Sequence, residues 1–474
     1  MRLHSLARRA RSIAFTYGGI TGVCALAAAL ALPTAGLEVS VSHFRWIGVA
    51  SVVVLGSLLL RGGLWTATSA YAAVFWCFHF GLVAVLASGL MAPTELSTWD
   101  QSWVLGPFAA DAAFVALLGF AAFASGATLI NAAAASTDDQ RHPIDAHEGA
   151  HPHGLAGSVL VFAAIALWVG IVISTSGLSG FFGSYGEYLD ATDEFGTPMG
   201  LMWLALGGGL VMSVTGRRGW LRTSAIVAFG SAALMALPIG LRGEVMFPTV
   251  AALVAAARCG WVLSPRRVCA FVAALLVVIP SVREVRDTGL QGLRDMVLEL
   301  RMFDAFAEMG ESLHPVEKVV RWRAEGEELE MGSSYWAPIE RAAARVLPEV
   351  RTTAAEDDMR IMNVLVTDRV GGIGFSPVAE AYRNFGAVGV VLILGLLGAG
   401  LAAIDGIADR GVAVLAITTL YVPLLVNVRN SFVSVPLQCG LGVLFVLGLR
   451  VVRHVSVSIR CRPYARPAYV RSEI

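Results

Sequence analysis

The chain has 474 residues, of which 56% are hydrophobic and 15% charged, with 50 glycines and 35 basic residues balanced by 35 acidic ones; its mean hydropathy is +0.69. Ordinary soluble domains carry about 25% charged residues, so the composition excludes a soluble globular or disordered chain and implies an all-α polytopic integral membrane protein. No concentrated basic face is present to hold nucleic acid.

A membrane-crossing helix needs about 20 mostly apolar residues. Twelve runs qualify. They cover roughly residues 13–32, 44–60, 67–91, 106–130, 155–175, 198–215, 221–240, 243–260, 267–282, 386–404, 411–427 and 432–451. The first run has the charge and length of a signal peptide, but further spans follow it, which fits an uncleaved anchor. Counting from a cytoplasmic N-terminus, the inside segments hold Arg61, Arg141, Arg217, Arg218, Arg222, Arg258, Arg266, Arg267, Arg410 and the tail from Arg450 to Arg471. The short outside segments hold only Arg45, Arg242 and Arg429. Positive residues near span ends stay cytoplasmic, so both termini are expected inside.

The expected organisation is a bundle of about nine spans over residues 1–281, a long extracytoplasmic loop over 282–385, about three spans over 386–451 and a cytoplasmic tail over 452–474. The loop alone holds 19 acidic and 13 basic residues, leaving 16 acidic and 22 basic for the rest of the chain. No internal repeat is evident, nor the matched broken helices of many transporters. The six cysteines (Cys24, Cys77, Cys259, Cys269, Cys439 and Cys461) lie in or beside apolar runs without CxxC spacing, which argues against a disulfide framework or zinc site.

Between the fourth and fifth runs, Asp138, Asp139, His142, His147, His151 and His153 match no defined metal-site spacing and read as a solvated linker. Leu241-Arg-Gly-Glu244 is wedged between two apolar runs at the outer face, where the fork of Arg242 suits phosphate oxygens and Glu244 stands beside it; the plainer reading is a surface pair in a tight turn. Within the long loop, residues 290–309 space Leu293, Val297, Leu300 and Phe303 near helical period, an amphipathic helix lying on the membrane or packed on the bundle. His314 is the only histidine of that loop, and Glu356, Asp357 and Asp358 form a run read as solvated. Gly371-Gly-Ile-Gly-Phe-Ser-Pro-Val-Ala-Glu380-Ala-Tyr-Arg-Asn-Phe-Gly386 runs into the tenth span and sets Glu380, Arg383 and Asn384 on one helical face. Asn427-Val-Arg-Asn430 places Arg429 and Asn430 at another outer end, where Arg429 could join Arg242 around one anion or simply snorkel. Asp111 and His79 are the polar exceptions among the runs, expected near a span end or satisfied in packing.

The 371–386 segment, the upstream Gly332-Ser-Ser-Tyr-Trp-Ala-Pro338 through Leu347-Pro348, the arginine after the seventh span and the architecture together resemble the O-antigen polysaccharide polymerases of the Wzy type, mainly in the second half of the chain. The resemblance implies a glycosyltransferase of the bacterial cytoplasmic membrane that joins polyprenyl-diphosphate-linked oligosaccharide repeat units at the outer face. Its partners would be those lipid-linked oligosaccharides, the bilayer and a chain-length-regulating membrane protein.

For that chemistry Arg242 and Arg429 are the candidates to stabilise the departing diphosphate, and Glu380, then His314, the candidates to take the acceptor proton. Glu244, Arg383, Asn384 and Asn430 are candidate substrate-binding groups. Tyr335, Trp336, Tyr382 and Trp322 offer flat faces for sugars. No Asp-x-Asp motif is present, so arginine rather than metal is expected to neutralise the leaving group, and no cofactor is expected. A ligase or other polyprenyl-phosphate-dependent glycosyltransferase shares these features, and a flippase for the same lipid-linked glycan is the alternative from another class.

Overall fold

The computed structural model describes residues 41–90, 101–136, 153–261, 264, 302–344, 347, 352–355 and 357–460. The apolar runs at 13–32 and 267–282, the His-rich stretch over 137–152, the first part of the amphipathic segment over 290–301, Glu356 and the tail beyond 460 lie outside these residues.

Every described element is helical, as a polytopic membrane protein requires, because a helix satisfies its own backbone groups where water is absent. The elements are α1 (Val41–Gly62), α2 (Ala67–Ala87), α3 (Ala109–Ser136), α4 (Gly154–Ser176), α5 (Tyr185–Thr192), α6 (Gly196–Thr215), α7 (Trp220–Ile239) and α8 (Arg242–Arg258). The loop region supplies α9 (Met302–Met309), α10 (His314–Ala324), α11 (Ser333–Ala344) and α12 (Met362–Val370). The chain then forms α13 (Pro377–Gly406), α14 (Arg410–Ala416), a π turn over Ile417–Tyr421, α15 (Val422–Asn427) and α16 (Val435–Arg460). Among the described residues nine helices are long and apolar enough to cross a membrane. The run expected over 243–260 forms the 17-residue α8, shorter than the others.

Two hydrophobic cores meet along α8. Phe247, Ala251, Val254 and Ala255 belong to the core built on α2, α3 and α13. Ala252 and Ala256 belong to the core built on α4, α6 and α7. Small residues permit the closest approaches: a Cβ on Gly126 would land on the Gly395 carbonyl, and one on Gly398 on the Phe123 carbonyl. Dispersion and backbone proximity thereby hold α3 to α13 where lipid offers no hydrophobic gain.

The helix ends sort to two sides. At one side Asp405 accepts hydrogen bonds from the Ala67 and Thr68 amides at 2.7 and 2.9 Å, Arg258 donates to Ile407 O at 2.7 Å and Arg61 donates to Thr128 at 2.8 Å. The α9–α12 region covers the other side. The described part of the amphipathic segment packs on the bundle: a Cβ on Gly81 of α2 would strike the Phe306 carbonyl, and one on Gly310 would strike the Leu82 backbone.

His79 is fully buried, satisfied by Phe75 O at 3.1 Å and the Ser376 hydroxyl at 2.7 Å. Asp111 falls in the first turn of α3, so both polar exceptions sit as the sequence suggested. The acidic run at 356–358 does not behave as a wholly solvated face. Asp358 is 4% exposed and accepts two hydrogen bonds from the Arg360 guanidinium at 2.9 Å each, because the fork geometry of arginine matches a carboxylate.

Candidate functional site

On the covered side, where α8 begins, a cavity of about 340 Å³ opens between α6, α8, α9, the 371–374 loop and α15. Its wall includes Arg242, Glu244, Glu308, Arg429, Asn430 and Gln438, with Tyr185, Trp203 and Phe247 as its aromatic residues. Four residues marked in the sequence (Arg242, Glu244, Arg429 and Asn430) therefore share one cavity, although they come from segments nearly 200 positions apart.

Arg242 reaches it because Gly240, with a left-handed backbone (φ 103°), ends α7 and lets the chain turn back into α8 within two residues. Arg242 Nη1 pairs with Glu308 Oε2 at 2.5 Å, not with Glu244 as the tight-turn reading supposed. Its Nε and Nη2 are buried with no hydrogen-bond partner among the described residues. Two donors of a planar fork, left desolvated on a residue that lines the cavity, suit incoming oxygens.

Arg429 is exposed and closes the far wall. The turn that carries it is fixed by its own amides: Asn427 Nδ2 donates to Asn430 O at 2.9 Å and Asn430 Nδ2 to Val426 O at 3.0 Å. The glycine-rich loop docks on this turn through the Phe375 amide, which donates to Arg429 O at 3.1 Å. Gly374 permits that approach: its backbone is left-handed (φ 75°), and a Cβ there would stand 3.2 Å from Arg429 O.

Glu380, Arg383 and Asn384 are brought together but do not line the cavity. Glu380 is 1% exposed, with Oε1 accepting from the Ser334 hydroxyl at 2.8 Å and Oε2 from the Phe432 amide at 2.7 Å. Asn384 donates to Ser334 Oγ at 2.7 Å and accepts from the Gly332 amide at 2.9 Å. Arg383 spans Glu327 and Glu330, each at 2.8 Å, under the Trp322 ring. The helical face recognised in the sequence is thus a clamp on residues 327–334. It ends at Gly386, whose left-handed backbone (φ 65°) breaks α13 where the span was expected to begin.

Burial raises the Glu327 carboxyl, but hydrogen bonds and charge from Arg383 and Arg369 outweigh it and hold the group below the usual carboxylate range. Tyr335 stacks with Phe385 and meets Phe432 edge-on, ring centres 6.3 and 5.2 Å apart; burial pushes its phenol up. Trp336 is exposed, and Tyr382 is half-buried on α13. His314 is 8% exposed and stacks on Trp103 at 4.8 Å. None of these four lines the cavity.

Sequence reasoning did not single out Glu308, Gln438, Tyr185 or Trp203 as site residues. Glu308 is one charge of an amphipathic helix, and nothing local in the sequence distinguishes it from the other acids of the loop. Among the described residues no group of three or more potential metal ligands converges.

The profile of the family described as O-antigen polysaccharide polymerase Wzy matches residues 155–457, a stretch that includes α4 to α15 and every cavity residue. Protein CapE of Staphylococcus aureus is similar, 26% identical over 257 residues, which are 53% of this chain and 56% of that protein. The match thus spans just over half the length of this curated relative. No solved structure matches the chain.

Proposed function

Because the chain belongs to the O-antigen polysaccharide polymerase Wzy family, we propose that it joins polyprenyl-diphosphate-linked oligosaccharide repeat units into a longer glycan, with the Arg242 cavity as its active site at the outer face of the bacterial cytoplasmic membrane. One observation carries the assignment of the site: Arg242, with two buried and unpartnered donors, lines the same cavity as Arg429.

In the proposed reaction the acceptor hydroxyl oxygen attacks the anomeric carbon of the donor glycan as the bond from that carbon to the diphosphate oxygen breaks. The hydroxyl proton passes to a carboxylate, and the diphosphate leaves as an anion between Arg242 and Arg429. Oriented cationic donors stabilise such developing charge more strongly than freely rotating water does.

For the proton acceptor the geometry favours Glu244 over both sequence candidates. Glu244 lines the cavity within electrostatic reach of Arg429, whereas the oxygens of Glu380 are occupied by Ser334 and Phe432 and His314 is stacked on Trp103. Sugar faces would meet Tyr185 and Trp203, and Asn430 and Gln438 supply hydrogen bonds. The 282–385 loop would cover the site from outside, and with twelve spans both termini would lie in the cytoplasm.

The test is a gel of surface and lipid-linked glycan from cells lacking the gene, complemented with wild type, Arg242→Ala or Arg429→Ala at matched membrane abundance. Single exported repeat units without a ladder in both variants support the reading. Lipid-linked units accumulating on the cytoplasmic side would indicate a flippase and overturn it.

A further inference from the structure

A second cavity, of about 500 Å³, lies at the opposite side of the bundle, where α6 hands over to α7 and α8 ends. Arg218, Gly219, Arg222, Thr223, Ile226, Val227, Gly260 and Trp261 line it. Nothing in the proposed polymerase chemistry uses it.

Its charge is unbalanced. Arg222 is only 8% exposed, and its guanidinium lies 4.1 Å from the centre of the Trp261 ring. It makes one long hydrogen bond, to Gly216 O at 3.3 Å. Arg218 stands close enough to act on it as a like charge. Among the described residues no carboxylate pairs with either arginine. Buried charges are ordinarily paired, because an uncompensated ion out of water is costly. Two adjacent arginines facing a cavity, one immobilised by a tryptophan, are a recognition pattern for phosphate oxygens.

The rim is apolar. Trp220 is 76% exposed, and along α7 Val227 and Leu234 are 60% and 75% exposed, so a lipid-facing helix leads out of the cavity from an interfacial tryptophan. We propose that this cavity binds the phosphate of an anionic lipid headgroup, with Arg218 and Arg222 on the phosphate oxygens and acyl chains along α7. Basic pockets between membrane helices commonly hold such headgroups. The inference does not depend on the polymerase reading.

The test titrates the purified full chain in detergent with phosphatidylglycerol, phosphatidylcholine and inorganic phosphate. Bound lipid is read by native mass spectrometry and the thermal midpoint is followed in parallel. Wild type should bind phosphatidylglycerol over phosphatidylcholine, with a raised midpoint. Arg218→Gln, an exposed change that leaves the bundle intact, should weaken that binding about 10-fold. Arg217→Gln, an exposed neighbour outside the cavity lining, should not.

A midpoint shift with inorganic phosphate that Arg218→Gln removes would keep the anion site and overturn the lipid as its occupant. Equal binding of the two lipids, or equal losses in Arg217→Gln and Arg218→Gln, would overturn the site itself. Because binding is read without glycan synthesis, its failure is distinct from any failure of the polymerase assignment.

Discussion

Arg242 Nη1 and Glu308 Oε2 lie 2.5 Å apart, so the first turn of α8 is tied to α9 of the long loop by one ion pair on the cavity wall. That pair neutralises one edge of the guanidinium, while Nε and Nη2 have no hydrogen-bond partner among the described residues. An arriving diphosphate would find its donors already oriented.

Arg242→Lys is therefore expected to behave almost as badly as Arg242→Ala. A lysine ammonium can meet Glu308 or the phosphate but cannot present the fork to both. Loss of one such donor in comparable sites lowers turnover by roughly 100-fold or more. The measurement is polymer formed per unit of membrane-resident protein; a lysine variant with near wild-type ladders would refute the bidentate role.

Glu244→Gln and Glu308→Gln separate the two cavity carboxylates. Glu244→Gln should stop polymerisation while leaving membrane abundance unchanged. Glu308→Gln should retain a ladder, because its carboxylate positions Arg242 rather than accepting the proton. If the two results are reversed, Glu308 is the base.

Glu380→Gln is expected to retain a ladder with a modest loss of abundance, since the amide can accept from the Phe432 N–H and donate to Ser334 Oγ, which already accepts from Asn384 and is left with its own hydrogen unpaired. Glu380→Ala instead strands a buried amide and hydroxyl, at about 1–3 kcal/mol each, and should lower abundance before activity per molecule. A Glu380→Gln protein that is abundant yet inactive would restore Glu380 as the base.

The loop should loosen in acid. Hydrogen bonding by Arg360, outweighing burial, holds the Asp358 carboxyl below its usual range, and Glu327 is held low by Arg383 and Arg369 against burial. A carboxylate depressed in the folded state contributes stability that is fully present above its unfolded value, about 4, and lost as pH falls through the folded one. Limited proteolysis within 327–360 should be flat from about pH 6 to 8 and accelerate below about pH 4. Asp358→Asn should remove part of that acid dependence.

Gly126→Ala should weaken the α3–α13 contact, because the new Cβ falls on the Gly395 carbonyl backbone and not on a flexible side chain. Overpacking of this kind costs about 1–3 kcal/mol. The readout is the thermal midpoint in detergent; Gly170→Ala, where nothing lies within 4 Å of a Cβ, is the control and should be near neutral.

Much of the membrane architecture was legible because hydropathy is additive along the chain. Runs such as 67–91 and 386–404 need no partner to declare themselves, and α2 and α13 appear there. The arginines of 242 and 429 were legible for a related reason: a permanent charge wedged between apolar runs is conspicuous wherever it points.

What each polar group faces was not legible. Glu380, Arg383 and Asn384 carry the right spacing for one helical face, but only packing reveals that the face closes on Ser334, Gly332, Glu327 and Glu330. Glu308 is indistinguishable in sequence from its acidic neighbours until α9 docks through Gly81 and Gly310.

The sequence by itself determined that this chain is a helical membrane protein and which charges sit at its helix ends, since burial of apolar runs and exclusion of charge from lipid act residue by residue. The tertiary structure alone decided that Arg242, Glu244, Glu308 and Arg429 share one cavity while Glu380 accepts hydrogen bonds from Ser334 and Phe432. Pair interactions decay within a few ångströms, and segments nearly 200 residues apart meet only once the bundle has packed.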